Sequence, residues 1–289
     1  MISHCVLPRV APLSSSLTTD NLQLKTLALH LNPKTDNVYL KIPVPADILV
    51  RPLHSLDEFR RCVLIAREVW GENDLDTEPF TTYVIADVTG GQVLGAFDGN
   101  TMVGFTKAYI GLQGQAPYLH SHMTGVLPSH RDRRVGRYLK LFQREDALRR
   151  GIRLVEWTFD PLETKNAHFN INRLGAICRR YIPNFYGITS SPLHRGIPTD
   201  RLLVEWHLDT KRVIAAVNDL TPEPRECPAH VHLPAELEDW KSGDPDRVIE
   251  VHARVRAEFT DWFSKGYAVL GVRSTRSGVD YCLAPWSDF

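Results

Sequence analysis

Apolar and polar positions along the chain change period several times, and each change marks an element. The run Ile48-Leu49-Val50-Arg51-Pro52-Leu53 is short and β-branched, which predicts a strand. Ser55 then stands as an N-cap before residues 56 to 70, where Phe59, Val63, Ala66 and Trp70 share one helical face. A second helix is predicted around residues 82 to 88, ending at Gly90-Gly91. Strands at 92 to 97 and 101 to 112 follow, joined through the hairpin signal Asp98-Gly99-Asn100. Residues 118 to 127 are again strand-like, and Pro128-Ser129 breaks them. From Arg133 the spacing of Val135, Leu139 and Phe142 is helical, with Gly151 as a left-handed stop. Residues 153 to 159 read as an apolar strand, and 164 to 181 as a helix. Strands at 185 to 189 and 201 to 208 flank a Pro- and Gly-marked loop at 190 to 200, which could cover a pocket.

The two ends of the chain have a different texture. Residues 1 to 46 are rich in Pro, Ser and Thr, with weak periodicity, and read as an N-terminal extension. Beyond Thr210, Pro222, Pro224, Pro228 and Pro234 mark a linker. It leads to a helix from about 245 to 265 and a terminal hairpin, 267 to 273 with 279 to 284. The division expected is therefore extension 1–46, core 47–210 and C-terminal helix and hairpin 211–289. The hairpin either adds to the core sheet or supports a homodimer.

Composition narrows the class. The chain has 289 residues, 43% hydrophobic and 24% charged, enough for a substantial core. Lys and Arg number 34 and so do Asp and Glu, so no net charge draws it to nucleic acid or an anionic membrane. No apolar run reaches transmembrane length, and the N-terminus lacks a basic-then-apolar leader pattern. The five cysteines, Cys5, Cys62, Cys178, Cys227 and Cys282, are odd in number and scattered, which suits a reducing compartment, with cytoplasm as the expectation. Cys227, His230 and His232 lack a second ligand pair at zinc-like spacing, so no metal is expected.

Chemistry concentrates between Tyr118 and Gly151. Strand alternation directs His120 and His122 to one face, in line with Thr124 and Val126. An imidazole titrates near neutrality and suits proton removal. The helix start beyond the turn combines unpaired N–H groups with Arg131, Arg133, Arg134 and Arg137, and Gly136 lets the main chain approach a ligand. Such a terminus attracts phosphate, and a pyrophosphate is a natural guest. The plainer readings are a solvated basic helix start and two structural histidines.

Residues Val126 to Gly136, V-L-P-S-H-R-D-R-R-V-G, resemble motif A of the GNAT acyl-CoA N-acyltransferases, V-x-P-x-x-R/Q-x-x-G-x-G/A. The first motif glycine is Arg134 here. His120-Ser121-His122 is similar in spacing to the H-x-H of arylalkylamine N-acetyltransferases, and Asn166-Ala167-His168-Phe169-Asn170, after Trp157-Thr158-Phe159-Asp160-Pro161, resembles a GNAT subgroup. The resemblance implies an α/β (α+β) GNAT fold, a central mixed, mostly antiparallel sheet flanked by helices. It implies acetyl-CoA, or another acyl-CoA, bound by Thr124, Val126, Arg131, Asp132, Arg133, Arg134, Val135, Gly136, Arg137 and Asn166. The Val126 amide would face the acyl carbonyl.

His120 and His122 would deprotonate a small-molecule primary amine, with Glu156 as reserve base. The family's thiolate-protonating tyrosine is Ile171 here, which leaves Tyr181 and Tyr186 as candidates. In the family the segment between the first two helices lines the acceptor site, so Glu72, Asp74, Asp76 or Glu78 could attract the amine. A solvated loop is the simpler account. The activity implied is acyl-CoA-dependent N-acetylation without metal, nucleic acid or membrane. The alternative is a GNAT-fold regulator that binds acyl-CoA without turnover.

Overall fold

Ser55 begins the first helix as its spacing predicts. Its hydroxyl accepts from the Glu58 amide and the Glu58 carboxylate accepts from the Ser55 amide, a reciprocal capping box. Gly71, with φ 64°, ends that helix in the left-handed region that glycine tolerates best. The computed structural model describes residues 48–71, 77–187, 198–220 and 227–286. The extension 1–46, the acidic residues Glu72, Asp74 and Asp76, and most of the 190–200 loop lie outside the described residues.

In chain order the described strands are β1 Ile48–Pro52, β2 Gln92–Asp98, β3 Thr101–Gln113, β4 Ala116–Val126, β5 Leu154–Phe159, β6 Ile177–Ile182, β7 Arg201–His207, β8 Ala229–Pro234, β9 Tyr267–Thr275 and β10 Gly278–Pro285. The helices are α1 Leu56–Trp70, α2 Thr81–Val88, α3 Val135–Arg149, α4 Thr164–His168 (running into a wider turn at Phe169–Arg173), α5 Lys211–Val217, α6 Leu237–Gly243 and α7 Pro245–Ser264. The strands form one mixed sheet in the order β1-β2-β3-β4-β5-β7-β6-β9-β10-β8. Only β4 and β5 run parallel; every other described pairing is antiparallel. An open α/β sheet flanked by helices is thus observed, as expected.

Several elements differ from the sequence reading. The helix expected at 164 to 181 ends early, because Gly175 at φ 74° turns the chain and Ile177 begins β6. Of the strand expected at 185 to 189, residues 188 and 189 lie outside the described residues; 185 to 187 follow a turn through Asn184, and the strand lies upstream, at β6. The stretch read as a Pro-marked linker contains α5, β8 and α6. In β8, Ala229, Val231 and Leu233 are buried in strict alternation, and Pro234 is tolerated because β8 is an edge strand. The terminal hairpin joins the same sheet, Val269 of β9 pairing with Cys178 of β6. One apolar core runs from Leu119, Val155 and Trp206 to Val255, Phe259 and Tyr281. Leu40–Phe289 is accordingly one compact unit.

A clamp fastens α7 to this core. The buried Asp200 carboxylate accepts from Arg256 Nε at 2.6 Å and Nη2 at 2.7 Å, and from the Tyr181 hydroxyl at 2.7 Å. A bidentate guanidinium pair with extra donors is the arrangement in which a buried carboxylate is well satisfied. Among the described residues, no helix is long and apolar enough to cross a membrane.

Candidate active site

The centre of β4 departs from simple alternation. Opposite β3, Lys107 pairs with Met123 and Ala108 with Ser121, so His122 is an extra residue, a β-bulge. The faces of the strand follow from the contacts. Ser121 accepts from Lys140 of α3, Thr124 meets Thr106, and Val126 packs near Val135. His122 turns the other way, toward the residues leading into α2, and Met123 receives the Tyr83 hydroxyl on that same side. His120 pairs with Tyr109, whose ring lies 5.7 Å from that of His122. The two histidines therefore share a face, with ring centroids 6.3 Å apart, as alternation predicts. Thr124 and Val126 do not share it: the bulge reverses the phase between them and the histidines.

Glu78 is the partner that the histidines gain from tertiary structure. Its Oε1 lies 2.7 Å from His122 Nε2, and its Oε2 accepts from the ammonium of Lys107. Burial works to raise the Glu78 carboxyl, but the hydrogen bonds from His122 and Lys107 outweigh it and hold the group at about 2. Glu78 is thus an anion at neutral pH and a fixed orienter for His122. Lys107 is completely buried, lying 4.3 Å from the Tyr83 ring and 5.1 Å from the Tyr109 ring. His120 is pushed down, first by burial and then by the neighbouring His122 and Lys140 charges, which favours its neutral, proton-accepting form.

A wedge opens beside the histidines. β4 pairs with β5 only at Leu119–Val155 and His120–Glu156, so from Ser121 to Val126 the β4 edge runs free of β5. At the far end of that edge the chain enters a one-turn helix at Pro128–His130, then α3. Asp132 and Arg134 both have positive φ, 62° and 61°. Arg134 thus holds the left-handed backbone that a glycine adopts without cost. Its guanidinium is exposed. The first bond within α3 runs from the Tyr138 amide to the Arg134 carbonyl at 3.1 Å, so the amides of Val135, Gly136 and Arg137 precede the helical ladder. A Cβ on Gly136 would touch only Val126, at 3.9 Å, so the protein's own packing does not require glycine there. Helix-start amides beside exposed arginines are the kind of donors that attract phosphate.

The other expected residues divide. Arg131, Asp132, Arg133 and Arg134 are exposed around this loop, with Arg133 and His130 sharing Asp98 at 3.1 and 3.2 Å. The Arg137 side chain is not among them. It is buried and donates to the Val217 carbonyl and Asp219, fastening α5, so only its main chain stays at the loop. Asn166 is exposed in α4. Glu156 is buried directly beside His120 and accepts from Arg180 at 3.2 Å; burial raises its carboxyl and the Glu205 charge adds to this.

Tyr186 is not brought to the histidines. Two strands separate β4 from β6, on the order of 14 Å of sheet, and its ring lies beneath the Arg201 guanidinium. Tyr181 donates to Asp200, and its burial and that carboxylate push its hydroxyl above the usual tyrosine range. Ile171 is fully buried.

Sequence reasoning missed Lys107, Arg179 and Arg180, and left Glu78 undistinguished among four acids. Nothing local marks these residues, because their partners lie tens of positions away. The metal reading of Cys227, His230 and His232 finds other roles for two of them: the Cys227 thiol donates to the Ala229 carbonyl, and His232 pairs with Asp280 at 2.7 Å.

No protein-family model matches the chain, and no curated protein matches its sequence. Solved structures do resemble it in fold. The ribosomal-protein-S18-alanine N-acetyltransferase from Escherichia coli is 12% identical, with a TM-score of 0.46 over 56% of this chain and 95% of its own. A putative GNAT-family acetyltransferase from Desulfovibrio desulfuricans is 13% identical, with a TM-score of 0.46 over 56% of this chain and 99% of its own. A putative acetyltransferase from Salmonella typhimurium, solved with its cofactor acetyl-CoA, is 16% identical, with a TM-score of 0.46 over 56% and 95%. The chain is thus similar in fold to acetyltransferases of the GNAT family.

Proposed function

We propose that this chain is an acyl-CoA-dependent N-acyltransferase that moves acetyl from acetyl-CoA to a primary amine by direct attack. One observation carries the reading. The free edge of β4 joins an imidazole pair at its start, His122 oriented by Glu78, to a glycine-bearing helix start at its end. An acyl-CoA laid along that edge would set its pyrophosphate on the amides of residues 135 to 137, with Arg131, Arg133 and Arg134 around it. Its thioester would reach the wedge, where a main-chain amide, that of Val126 in this proposal, would stabilise the developing oxyanion.

The acceptor arrives as an ammonium and must lose a proton before it has a lone pair to offer. His120, neutral by burial, and His122, held by Glu78, take that proton directly or through a water between the rings. The Glu78 carboxylate stabilises the imidazolium that results, as an orienting acid does in other imidazole-based sites. The amine nitrogen attacks the thioester carbon; as the tetrahedral oxyanion collapses, the carbon–sulfur bond breaks and the nitrogen's second proton passes to the departing thiolate, through water. A thiol of ordinary pKa, about 8.5, leaves tolerably as thiolate without a dedicated acid, which is consistent with Ile171 at the family's tyrosine position. Glu156, held by Arg180, serves in this reading to orient His120 rather than as the base. Positioning two reactants in one wedge supplies much of the rate.

The test is thermal unfolding with acetyl-CoA and CoA at saturation, followed by thiol release with a panel of primary amines. A ligand that binds only the native state must raise the midpoint, by an amount set by its concentration over Kd. A rise with acetyl-CoA followed by amine-dependent thiol release is the expected result. No rise with any acyl-CoA overturns the reading. A rise without turnover of any amine selects the non-catalytic acyl-CoA-binding alternative.

A further inference from the structure

A second bulge lies three strands along the sheet from the first. In β6, Cys178 pairs with Val204 and Arg180 with Leu203, so Arg179 is an extra residue. Two successive guanidiniums therefore end on one face of the sheet, the face of His120. Arg180 donates to Glu156, and Arg179 donates to Glu205 through Nε at 3.3 Å and Nη2 at 2.7 Å. Glu156 and Glu205 are themselves paired across β5 and β7, and Glu156 is paired with His120 across β4 and β5. A continuous polar row thus leads from the histidines to the arginines.

The row ends in a cavity of about 390 Å³, lined by Arg179, Arg180 and Glu205 and walled by Phe263, Tyr267 and Trp286 from the C-terminal segment. The glutamates lie beneath and are almost fully buried, at 6 and 9% exposure, while Arg179 and Arg180 retain 33 and 55%. Arg180 thus spends one donor on the carboxylate below and, half exposed, faces the space above. A fork of N–H donors at an aromatic-walled cavity matches a carboxylate or a phosphate, which it can bind through two parallel hydrogen bonds.

We infer that this cavity is the acceptor's second anchor, and that the acceptor is an amine which also carries a carboxylate or phosphate, bound by Arg180. The amine would sit at His120 and His122 while the anion sits one to two strand spacings away, about 5–10 Å. The inference rests on the acyltransferase reading for the amine end, whereas the anion end stands on Arg180 and the cavity alone. It also gives residues 263 to 286 a part in specificity.

The experiment reads binding, not turnover, so that its failure is distinct from failure of the acyl-CoA assignment. The full chain, with and without CoA, is titrated calorimetrically with 5-aminopentanoate, 5-aminopentyl phosphate and pentylamine. The anionic probes should bind at least about tenfold more tightly than pentylamine, the worth of one good charge-assisted contact. Whichever of the two binds more tightly identifies the anion. In Arg180→Gln, which also takes the partner from the buried Glu156, the ratio of anionic-probe to pentylamine affinity should fall to about one. Pentylamine binding as tightly as the anionic probes in the wild-type protein overturns the inference, and that outcome needs no variant to fold.

Discussion

Consider the two faces of β4 at successive residues. On one, Ser121 accepts from Lys140 Nζ at 2.7 Å, Gln143 accepts at 3.1 Å, and the ammonium lies 4.0 Å from the Trp157 ring, all of it sealed between α3 and the sheet. On the other, His122 and His120 keep partial exposure and meet Glu78, Tyr109 and Glu156. Both faces hold titratable nitrogen within a few ångströms of the strand. Only one offers a route by which a substrate could exchange a proton with it. Burial with satisfied hydrogen bonds makes the lysine part of the packing, and burial with an opening leaves the histidines within reach of a substrate. The bulge at His122 gives the open face its extra side chain, and the free β4 edge gives it room.

The largest effect that would break this comparison is at the histidines. The double variant His120→Ala, His122→Ala should lose about 10²- to 10⁴-fold in kcat/KM for an amine, the range for removal of positioned acid–base groups. Acetyl-CoA affinity, measured by calorimetry, should stay within about twofold, since uniform binding is not what those groups supply. An equal loss in Lys140→Met would mean that the sealed face takes part in chemistry and that the contrast between faces is false.

Lys140 should instead show itself in stability. Burial pushes its ammonium from the usual 10.5 down to about 7. In the unfolded chain the group stays protonated up to its ordinary value, so between about 7 and 10.5 the unfolded state binds more protons than the folded one. Stability from this group therefore rises with pH across that window, and below it the full cost of burying a cation applies. Lys140→Met keeps the length of the side chain and removes the charge. At pH 7 it should be neutral or stabilising, and the wild-type protein should gain on it by on the order of 2–4 kcal/mol as pH rises toward 10. Urea midpoints of both proteins at several pH values measure this. Taking their difference cancels the buried thiols Cys62 and Cys282, which are raised to about 12 and whose unfolded forms ionise earlier. A flat difference would show that the ammonium is hydrated, and the face not sealed.

Much of the scaffold for this comparison was legible in the sequence, because it is locally encoded. Ser55 and Glu58 specify the start of α1, Gly99-Asn100 closes the β2–β3 hairpin, and Val135 and Leu139 set the buried stripe of α3. The histidine pair and the glycine-bearing helix start were visible for the same reason. What escaped depends on register with distant strands. The bulge at His122 exists only relative to Lys107 and Ala108, and nothing in His120-Ser121-His122 announces it. Glu78 meets a histidine 44 positions away. Leu174, Ile177 and Tyr181 recur at spacings that a helix also uses, and only the positive φ of Gly175 shows that the chain has turned into a strand. The Arg179 bulge was hidden inside that misread helix.

The smallest effect comes from two glycines that test sealed against open space directly. At Gly104 of β3, a Cβ would lie 2.9 Å from the Gly125 carbonyl oxygen and 3.2 Å from Val126, backbone and core that cannot retreat. At Gly136 it would meet only Val126, at 3.9 Å. Gly104→Ala should therefore destabilise by about 1–3 kcal/mol, the usual cost of overpacking. Gly136→Ala should leave stability unchanged or raise it by about 0.5–1 kcal/mol, because alanine is the better helix former. If the space above Gly136 belongs to a phosphate, the same methyl group should weaken CoA binding by about tenfold, the equivalent of one lost close contact. Unfolding midpoints and CoA titrations on the two variants separate the cases. A Gly136→Ala protein that is as stable as wild type and binds CoA equally well would remove the pyrophosphate from this loop. Normal stability with weakened binding would mean that the glycine is kept for a ligand and not for the fold.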